Sequence, residues 1–110
     1  MSNNVIQPDP EKMQYIIDCI PTEELLAQLA EEASELAHAA LKLRRTYSDV
    51  NPTPVPKEDA VKNLLEEIAD VSLVINMLGF NTDRNTVICH EIMAKKTDRW
   101  ADRLGWGSEG

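Results

Sequence analysis

The positions of the prolines constrain the fold of this chain more than any other feature of the sequence. All six lie within the first 56 residues, at Pro8, Pro10, Pro21, Pro52, Pro54 and Pro56. Because proline lacks a backbone N–H and clashes with the preceding turn, it begins or ends helices and rarely lies inside them. The proline-free segments carry apolar residues at helical spacing, which predicts helices joined by short loops.

Four helices are predicted, with bounds near 10–20, 22–47, 57–78 and 83–104. Thr22 is the predicted N-cap of the second helix, Thr82 or Asp83 caps the last, and Gly79 suits the position after the third. Basic residues near the end of the second helix complement its dipole; they are Lys42, Arg44 and Arg45. The short loop between the two long helices makes them antiparallel neighbours. The predicted fold is an all-α bundle of four helices, the first short.

Length and composition favour one domain. The chain has 110 residues, which allows one core, and its 43% apolar and 5% aromatic content favours packed helices over a sheet. We predict a single domain over 1–110, with its core at 22–104 and a frayed tail at 105–110. The four helices leave a long apolar surface, so a homodimer or homotetramer is expected to complete the bundle.

The charge of the chain excludes one class of partner. Asp and Glu number 19 against 11 Lys and Arg, and the formal net charge of -8 repels the backbone of duplex nucleic acid. A nucleotide is still possible as a substrate, because metal ions can neutralise the charge between carboxylates and phosphates.

The sequence also predicts the location of the protein in the cell. No apolar run is long enough to cross a bilayer, and the polar start lacks the apolar core of a signal peptide, so we expect no membrane association and a cytoplasmic location. Cys19 and Cys89 have neither CxxC spacing nor flanking metal ligands. They are expected to be buried, reduced thiols.

Two pairs of acidic residues stand out, Glu32 with Glu35 and Glu67 with Asp70. Each pair has the i, i+3 spacing that places both side chains on one helix face. In so acidic a chain the ordinary explanation is a solvated charged face. The position of these carboxylates relative to the apolar residues decides whether they form such a face or a functional site.

A projection of about 100° per residue places Glu32 inside the apolar arc of the second helix and Glu35 at its edge. Glu67 falls inside the arc of the third helix, and Asp70 lies just outside. The arcs consist of Leu25, Leu29, Leu36, Ala40 and Leu43 in the second helix and Leu64, Ile68, Val71, Ile75 and Leu78 in the third.

A carboxylate that faces a helical core loses several kcal/mol of solvation unless it is neutralised, paired or bound to a metal. Divalent cations would satisfy the acidic residues of both helices together. Oxygen ligands without neighbouring cysteine favour Mg²⁺, or Mn²⁺ as a substitute, over zinc. We therefore predict a metal site at Glu32, Glu35, Glu67 and Asp70.

The same residues carry a family resemblance. The pattern EExxE at Glu31, Glu32 and Glu35, followed by ExxD at Glu67 and Asp70, resembles the MazG-like all-alpha nucleoside triphosphate pyrophosphohydrolases. Their relatives include dimeric dUTPases and dCTP pyrophosphatases. The resemblance covers about 22–103, because a basic helix also follows the acidic pairs in those proteins. It implies that the four matching carboxylates bind Mg²⁺ and that the reaction releases a nucleoside monophosphate and pyrophosphate. The longer gap between the pairs departs from the commonest family spacing.

Roles in that reaction follow from general chemistry. Mg²⁺ activates water and offsets charge on the triphosphate, so we expect attack at the α-phosphorus, with Glu35 as the base. Four basic residues continue the apolar stripe of the last helix, and they contact either the β- and γ-phosphates or surface carboxylates. They are Lys95, Lys96, Arg99 and Arg103.

Three other side chains fit weaker hypotheses. Trp100 and Trp106 suit a subunit interface better than stacking on a base. His38 supplies half of the signature of di-iron carboxylate bundles, but Asp70 stands where the other half would need its histidine. His38 is therefore expected at the surface or beside the metal ligands.

Two alternatives to the enzyme are open. A non-enzymatic helical module would dimerise through its apolar stripes and contact a basic partner protein through its acidic pairs. A degenerate member of the family would bind nucleotides without cleaving them, although the intact set of acidic residues favours an enzyme.

Overall fold

In a computed structural model of the chain, residues 5–48, 50 and 54–108 are described. They contain four helices, α1 (Pro10–Cys19), α2 (Thr22–Arg45), α3 (Lys57–Met77) and α4 (Asp83–Arg103). This part of the chain contains no strand. The predicted all-α fold with four helices and a short first helix is confirmed. Each helix ends one or two residues before its predicted end.

The helix ends follow the expected local chemistry with one exception. The Thr82 hydroxyl accepts a hydrogen bond from the Asn85 N–H at 3.2 Å, and Gly79 after α3 has a φ of 80°. The prediction that Thr22 caps α2 is wrong, because Pro21 occupies the N-cap position and no side chain makes the capping bond. The carbonyl of Pro21 accepts hydrogen bonds from the N–H groups of Glu24 and Leu25, at 3.0 and 3.1 Å, and these bonds begin the helix.

The chain forms two compact units, 1–78 and 79–110. The first contains α1, α2 and α3, and the second contains α4 and the turn after it. The predicted single domain over 1–110 stays a prediction. None of the helices in the described ranges is both long and apolar enough to cross a membrane.

In the first unit α2 and α3 form an antiparallel pair, as predicted. Next to the loop that joins them, the Lys57 ammonium lies 3.6 Å from the centre of the Tyr47 ring. Farther along the pair, Glu32 of α2 lies close to Glu67 of α3. The helices therefore stay adjacent from the loop to their middle, and they run in opposite directions. Such a cation–π contact at an exposed site contributes about 0.5–1 kcal/mol.

The buried core of this pair is small. Leu25 and Ala39 are buried on α2, and Ala60 and Val74 on α3, with Ala39 and Ala60 each only 1% exposed. Ala40, assigned to the apolar arc of α2, is exposed. Alanine side chains let helices approach closely, and the two buried alanines leave little space for a larger side chain at their positions.

The apolar arc of α3 also differs from its prediction in one member, because Ile68 is 44% exposed. The prediction that the cysteines are buried is wrong, because Cys19 and Cys89 are both exposed free thiols. They lie on α1 and α4, the two helices without a buried residue.

In the second unit a turn closes α4. The N–H of Trp106 donates to the carbonyl of Ala101 at 3.0 Å, and Gly105 has a φ of 95°. Glycine adopts this left-handed conformation without a steric penalty, so the chain can fold back over the end of the helix. The described part of the predicted tail, up to Ser108, consists of such turns, and residues 109–110 lie outside the described ranges.

Replacing Ala39 by leucine is expected to lower the free energy of unfolding by about 1–3 kcal/mol, because the larger side chain has no space where α2 meets α3. Ala40→Leu, one residue away on the exposed face, is the matched control and should change stability by less than about 0.5 kcal/mol. Urea unfolding followed by circular dichroism measures both. Equal midpoints for the two variants would contradict close packing at Ala39.

Candidate metal centre

Three carboxylates meet where the middle of α2 faces α3. One oxygen each from Glu32, Glu67 and Asp70 lies within 4.8 Å of the other two. Glu67 and Asp70 are one helical turn apart, so α3 presents them on the same face. Glu32 reaches them from α2 because the two helices are antiparallel neighbours. The sequence prediction that these three residues lie together is therefore consistent with the structure.

The spacing of the buried residues explains why Glu32 and Glu67 lie between the helices. On α2, Glu32 is seven residues from Leu25 and seven from Ala39, which are both buried. On α3, Glu67 has the same seven-residue separation from Ala60 and Val74. Positions repeated every seven residues face the partner in a pair of packed helices. Each glutamate thus occupies a seam position between two apolar ones.

Glu67 is the most constrained member of the group. The residue as a whole is half-buried, but its Oε2 atom is inaccessible to water and has no hydrogen-bond partner among the described residues. Burial raises the pKa of Glu67 above its ordinary value of 4.5, and the negative charges of Asp70, Glu32, Glu35 and Glu66 raise this pKa further. An unpaired, shielded oxygen surrounded by like charges attracts a proton or a cation.

Gln28 orients Glu32. Its side-chain Nε2 donates a hydrogen bond to Oε1 of Glu32 at 2.8 Å. Sequence analysis missed this residue, although its i, i+4 spacing ahead of Glu32 could have indicated the contact. A bond to Oε1 restricts rotation of the carboxylate and leaves the lone pairs of Oε2 available to a cation.

A hard divalent cation fits this group. Oxygens bound to one Mg²⁺ at about 2.1 Å lie about 3–4.2 Å apart, so ligand atoms within 4.8 Å need only small side-chain shifts. All three ligands are carboxylates, without sulfur or imidazole, and such a set suits Mg²⁺ or Mn²⁺ better than zinc. A cation bound by Oε2 of Glu67 would also supply a partner that this atom lacks among the described residues.

Glu35, the fourth predicted ligand, has a different position. Within the described residues it is not part of the group of three oxygens, and its side chain is exposed. It is close enough to Glu67 for its charge to raise the Glu67 pKa. Glu35 and Glu67 also share the wall of a cavity. This position suits a residue that acts beside a cation at least as well as one that binds it.

The cavity lies along α2 and α3 and has a volume of about 320 Å³. Its lining residues are Glu35, His38, Ala39, Leu41, Lys42, Arg45, Asn63 and Glu67. His38 is exposed and lies near the carboxylates, as expected. Sequence analysis missed Lys42, Arg45 and Asn63, since it explained the basic residues only by the helix dipole. Their spacing of seven and ten residues from Glu35 could have placed Lys42 and Arg45 on its face of α2.

The basic residues predicted to contact phosphates lie on α4, in the second unit. All four are exposed, as are Trp100 and Trp106, which are 63% and 80% accessible. The residues are Lys95, Lys96, Arg99 and Arg103. Their role toward the carboxylates of the first unit stays a prediction, and so does the predicted subunit interface of the tryptophans.

No family model, no curated protein and no solved structure gives a significant match to this chain. The MazG-like resemblance of the two acidic pairs therefore stays an expectation. What the chain does has to be inferred from the residues around Glu67.

The raised pKa of Glu67 predicts a pH-dependent stability. Below about pH 4 this carboxyl is mostly protonated in both the folded and the unfolded chain, so its ionisation no longer affects stability. Between that pH and the raised pKa the folded chain binds more protons, and the free energy of unfolding therefore falls as pH rises. Above the raised pKa this carboxyl is ionised in both the folded and the unfolded chain, and the loss of stability that its ionisation causes is complete.

Glu67→Gln should therefore have a higher Tm than the unchanged chain at about pH 7 in excess chelator, and the difference should vanish by about pH 4. Glu31→Gln removes an exposed charge that does not act on Glu67, and it serves as the control. Thermal unfolding across this pH range gives the comparison. A Glu67→Gln variant no more stable than the unchanged chain at pH 7 would show that the ionised carboxylate carries no penalty.

Proposed function

We propose that this chain is a Mg²⁺-dependent nucleoside triphosphate pyrophosphohydrolase of the MazG-like kind. It would convert ribo- or deoxyribonucleoside triphosphates to monophosphates and pyrophosphate. The observation that carries the proposal is the group of three carboxylates at Glu32, Glu67 and Asp70, in which Glu67 also has a buried Oε2 without a hydrogen-bond partner among the described residues.

The cost of this arrangement supports a functional role. Apolar side chains of similar volume at the two glutamate positions would pack α2 against α3 at no electrostatic penalty. Instead Glu32 and Glu67 bring like charges together between apolar positions. Groups whose pKa is perturbed by burial and by neighbouring charge are concentrated at functional sites. A structural pair of helices has no need of such a group.

Three of the carboxylates share one part in the proposed reaction. Glu32, Glu67 and Asp70 would hold Mg²⁺, and Gln28 would keep the Glu32 carboxylate oriented. When bound, Mg²⁺ supplies positive charge against the triphosphate oxygens and lowers the pKa of water. The excess of negative charge in the group makes it selective for a divalent cation over a monovalent one.

Glu35 would act as the general base. It is exposed and lies in the cavity wall beside Glu67, so water that enters the cavity can reach its carboxylate. There it can take the proton of the water that attacks the α-phosphorus. Phosphoryl transfer depends mainly on positioning and charge stabilisation, and one correctly placed base is enough for the proton.

The proposal includes a homodimer or homotetramer. Large apolar side chains of α4 are exposed in its unit, among them Val87, Ile92, Met93 and Trp100. An amphipathic helix without a covered face favours association with another helix. The basic residues of α4 would then contact phosphates from positions set by the assembly.

The proposal predicts pyrophosphate release from one or more members of a panel of nucleoside triphosphates, only when Mg²⁺ is present. Glu67→Gln should lower this rate by at least about 100-fold, since loss of even an outer partner of a metal ligand costs about 10- to 100-fold. Glu66→Gln, an adjacent exposed residue on α3, should retain activity. A coupled assay for pyrophosphate measures the rates.

Thermal unfolding separates the alternatives. An enzyme or a degenerate nucleotide-binding protein should gain stability with Mg²⁺, by about 2.7 kcal/mol at 100 times the Kd. No release from any triphosphate, in a folded chain that Mg²⁺ and nucleotide do not stabilise, would overturn the proposal in favour of an interaction module. Stabilisation by nucleotide without release would indicate binding alone.

A further inference from the structure

The cavity beside the carboxylates contains charges of both signs. Glu35 and Glu67 line it together with Lys42 and Arg45. Along α2 the two cations follow Glu35 by about two and three helical turns, on the same face of the helix. Among residues 5–48, 50 and 54–108, no side-chain hydrogen bond involves Lys42 or Arg45. Within the described part of the chain, the donors of both side chains are therefore available to a ligand.

The charge pattern restricts the ligand that this cavity can hold. A cation alone would meet Lys42 and Arg45, and an anion alone would meet Glu35 and Glu67. A polyanion that carries its own divalent cation matches both regions. A zwitterion with one positive and one negative group is a poorer match, because two further carboxylates, Glu32 and Asp70, adjoin Glu67.

Size and geometry point to the phosphate chain of such a ligand. A volume of about 320 Å³ is at the lower end of the range for ligand pockets, about 300–1,000 Å³. Helical side chains lean toward the N-terminus, so Lys42 and Arg45 extend from their backbone positions in the direction of Glu35. Arginine donates two parallel hydrogen bonds to a phosphate and lysine acts as a point charge, while Asn63 adds an amide donor.

We propose that this cavity binds a chain of condensed phosphates together with its divalent cation, and that Lys42 and Arg45 contact the phosphates farthest from the carboxylates. This inference rests on the proposed function, which identifies these condensed phosphates as the β- and γ-phosphates of a nucleoside triphosphate. It adds contacts with the leaving pyrophosphate on α2, in the same unit as the carboxylates, to the phosphate contacts proposed for α4. Lys42 and Arg45 are then substrate-binding residues.

Binding of inorganic tripolyphosphate with Mg²⁺, measured by calorimetry on the full chain, tests the site without requiring hydrolysis. Lys42→Gln and Arg45→Gln should each raise the Kd by at least about tenfold, because each removes hydrogen bonds to a charged group. Arg44→Gln is the matched control, since it removes the same charge from the same helix end outside the cavity. Lys42→Arg retains the charge and should retain most of the affinity.

A second arm compares kinetics on a nucleoside triphosphate with binding of the corresponding monophosphate. Lys42→Gln and Arg45→Gln should raise KM for the triphosphate by at least about tenfold and leave monophosphate affinity within about twofold. Circular dichroism verifies that each of the variants at Lys42, Arg44 and Arg45 is folded.

The outcomes separate the two proposals. Tripolyphosphate binding that is lost in both Gln variants, without hydrolysis of any triphosphate, would retain the phosphate site and reject the hydrolase. Hydrolysis with unchanged KM and Kd in both Gln variants would reject the phosphate site and retain the hydrolase. Absence of tripolyphosphate binding by the unchanged chain would also overturn the proposed phosphate site. So would a loss of tripolyphosphate affinity in Arg44→Gln as large as in the two other Gln variants.

Discussion

The packing of α2 against α3 in antiparallel orientation is the constraint on which the first unit depends. At one level the pair buries Ala39 and Ala60, and at another it buries Leu25 and Val74. Midway between these levels, by sequence spacing, each helix places a glutamate in the seam. Apolar contacts on both sides thus hold two carboxylates closer together than their mutual repulsion favours. The shielded oxygen of Glu67 is the direct result.

This arrangement lowers the stability of the folded chain when Glu67 is ionised. Two small alanines allow the helices to approach closely, but they bury less apolar surface than leucine would. The raised pKa of Glu67 shows that the neighbouring charges and burial oppose its ionised form. A ligand that brings positive charge to the group would remove this penalty, and its binding energy would then appear as added stability of the folded chain. Perturbed pKa values with these causes are concentrated at functional sites.

The cavity extends the same seam toward the loop. The face of α2 that carries Glu35 continues through His38 to Lys42 and Arg45, while α3 contributes Asn63 and Glu67. The polarity therefore changes along the cavity from negative to positive. A phosphate chain with its cation has the complementary polarity. In the second unit, α4 carries exposed basic and apolar residues.

The sequence by itself determined the four helices, because the prolines limit where helices can lie and the apolar periodicity fills the intervals between them. It also determined that Glu32 and Glu67 face the apolar side of their helices, since this follows from helical geometry alone. Only the tertiary structure decided that Ala39 rather than Ala40 is buried, because one residue of rotation about α2 depends on where α3 lies. It alone revealed the contact of Gln28 with Glu32, and it brought Lys42 and Arg45 into one cavity with Asn63. A helical projection describes one helix at a time, whereas these features depend on which face of α2 its neighbour covers.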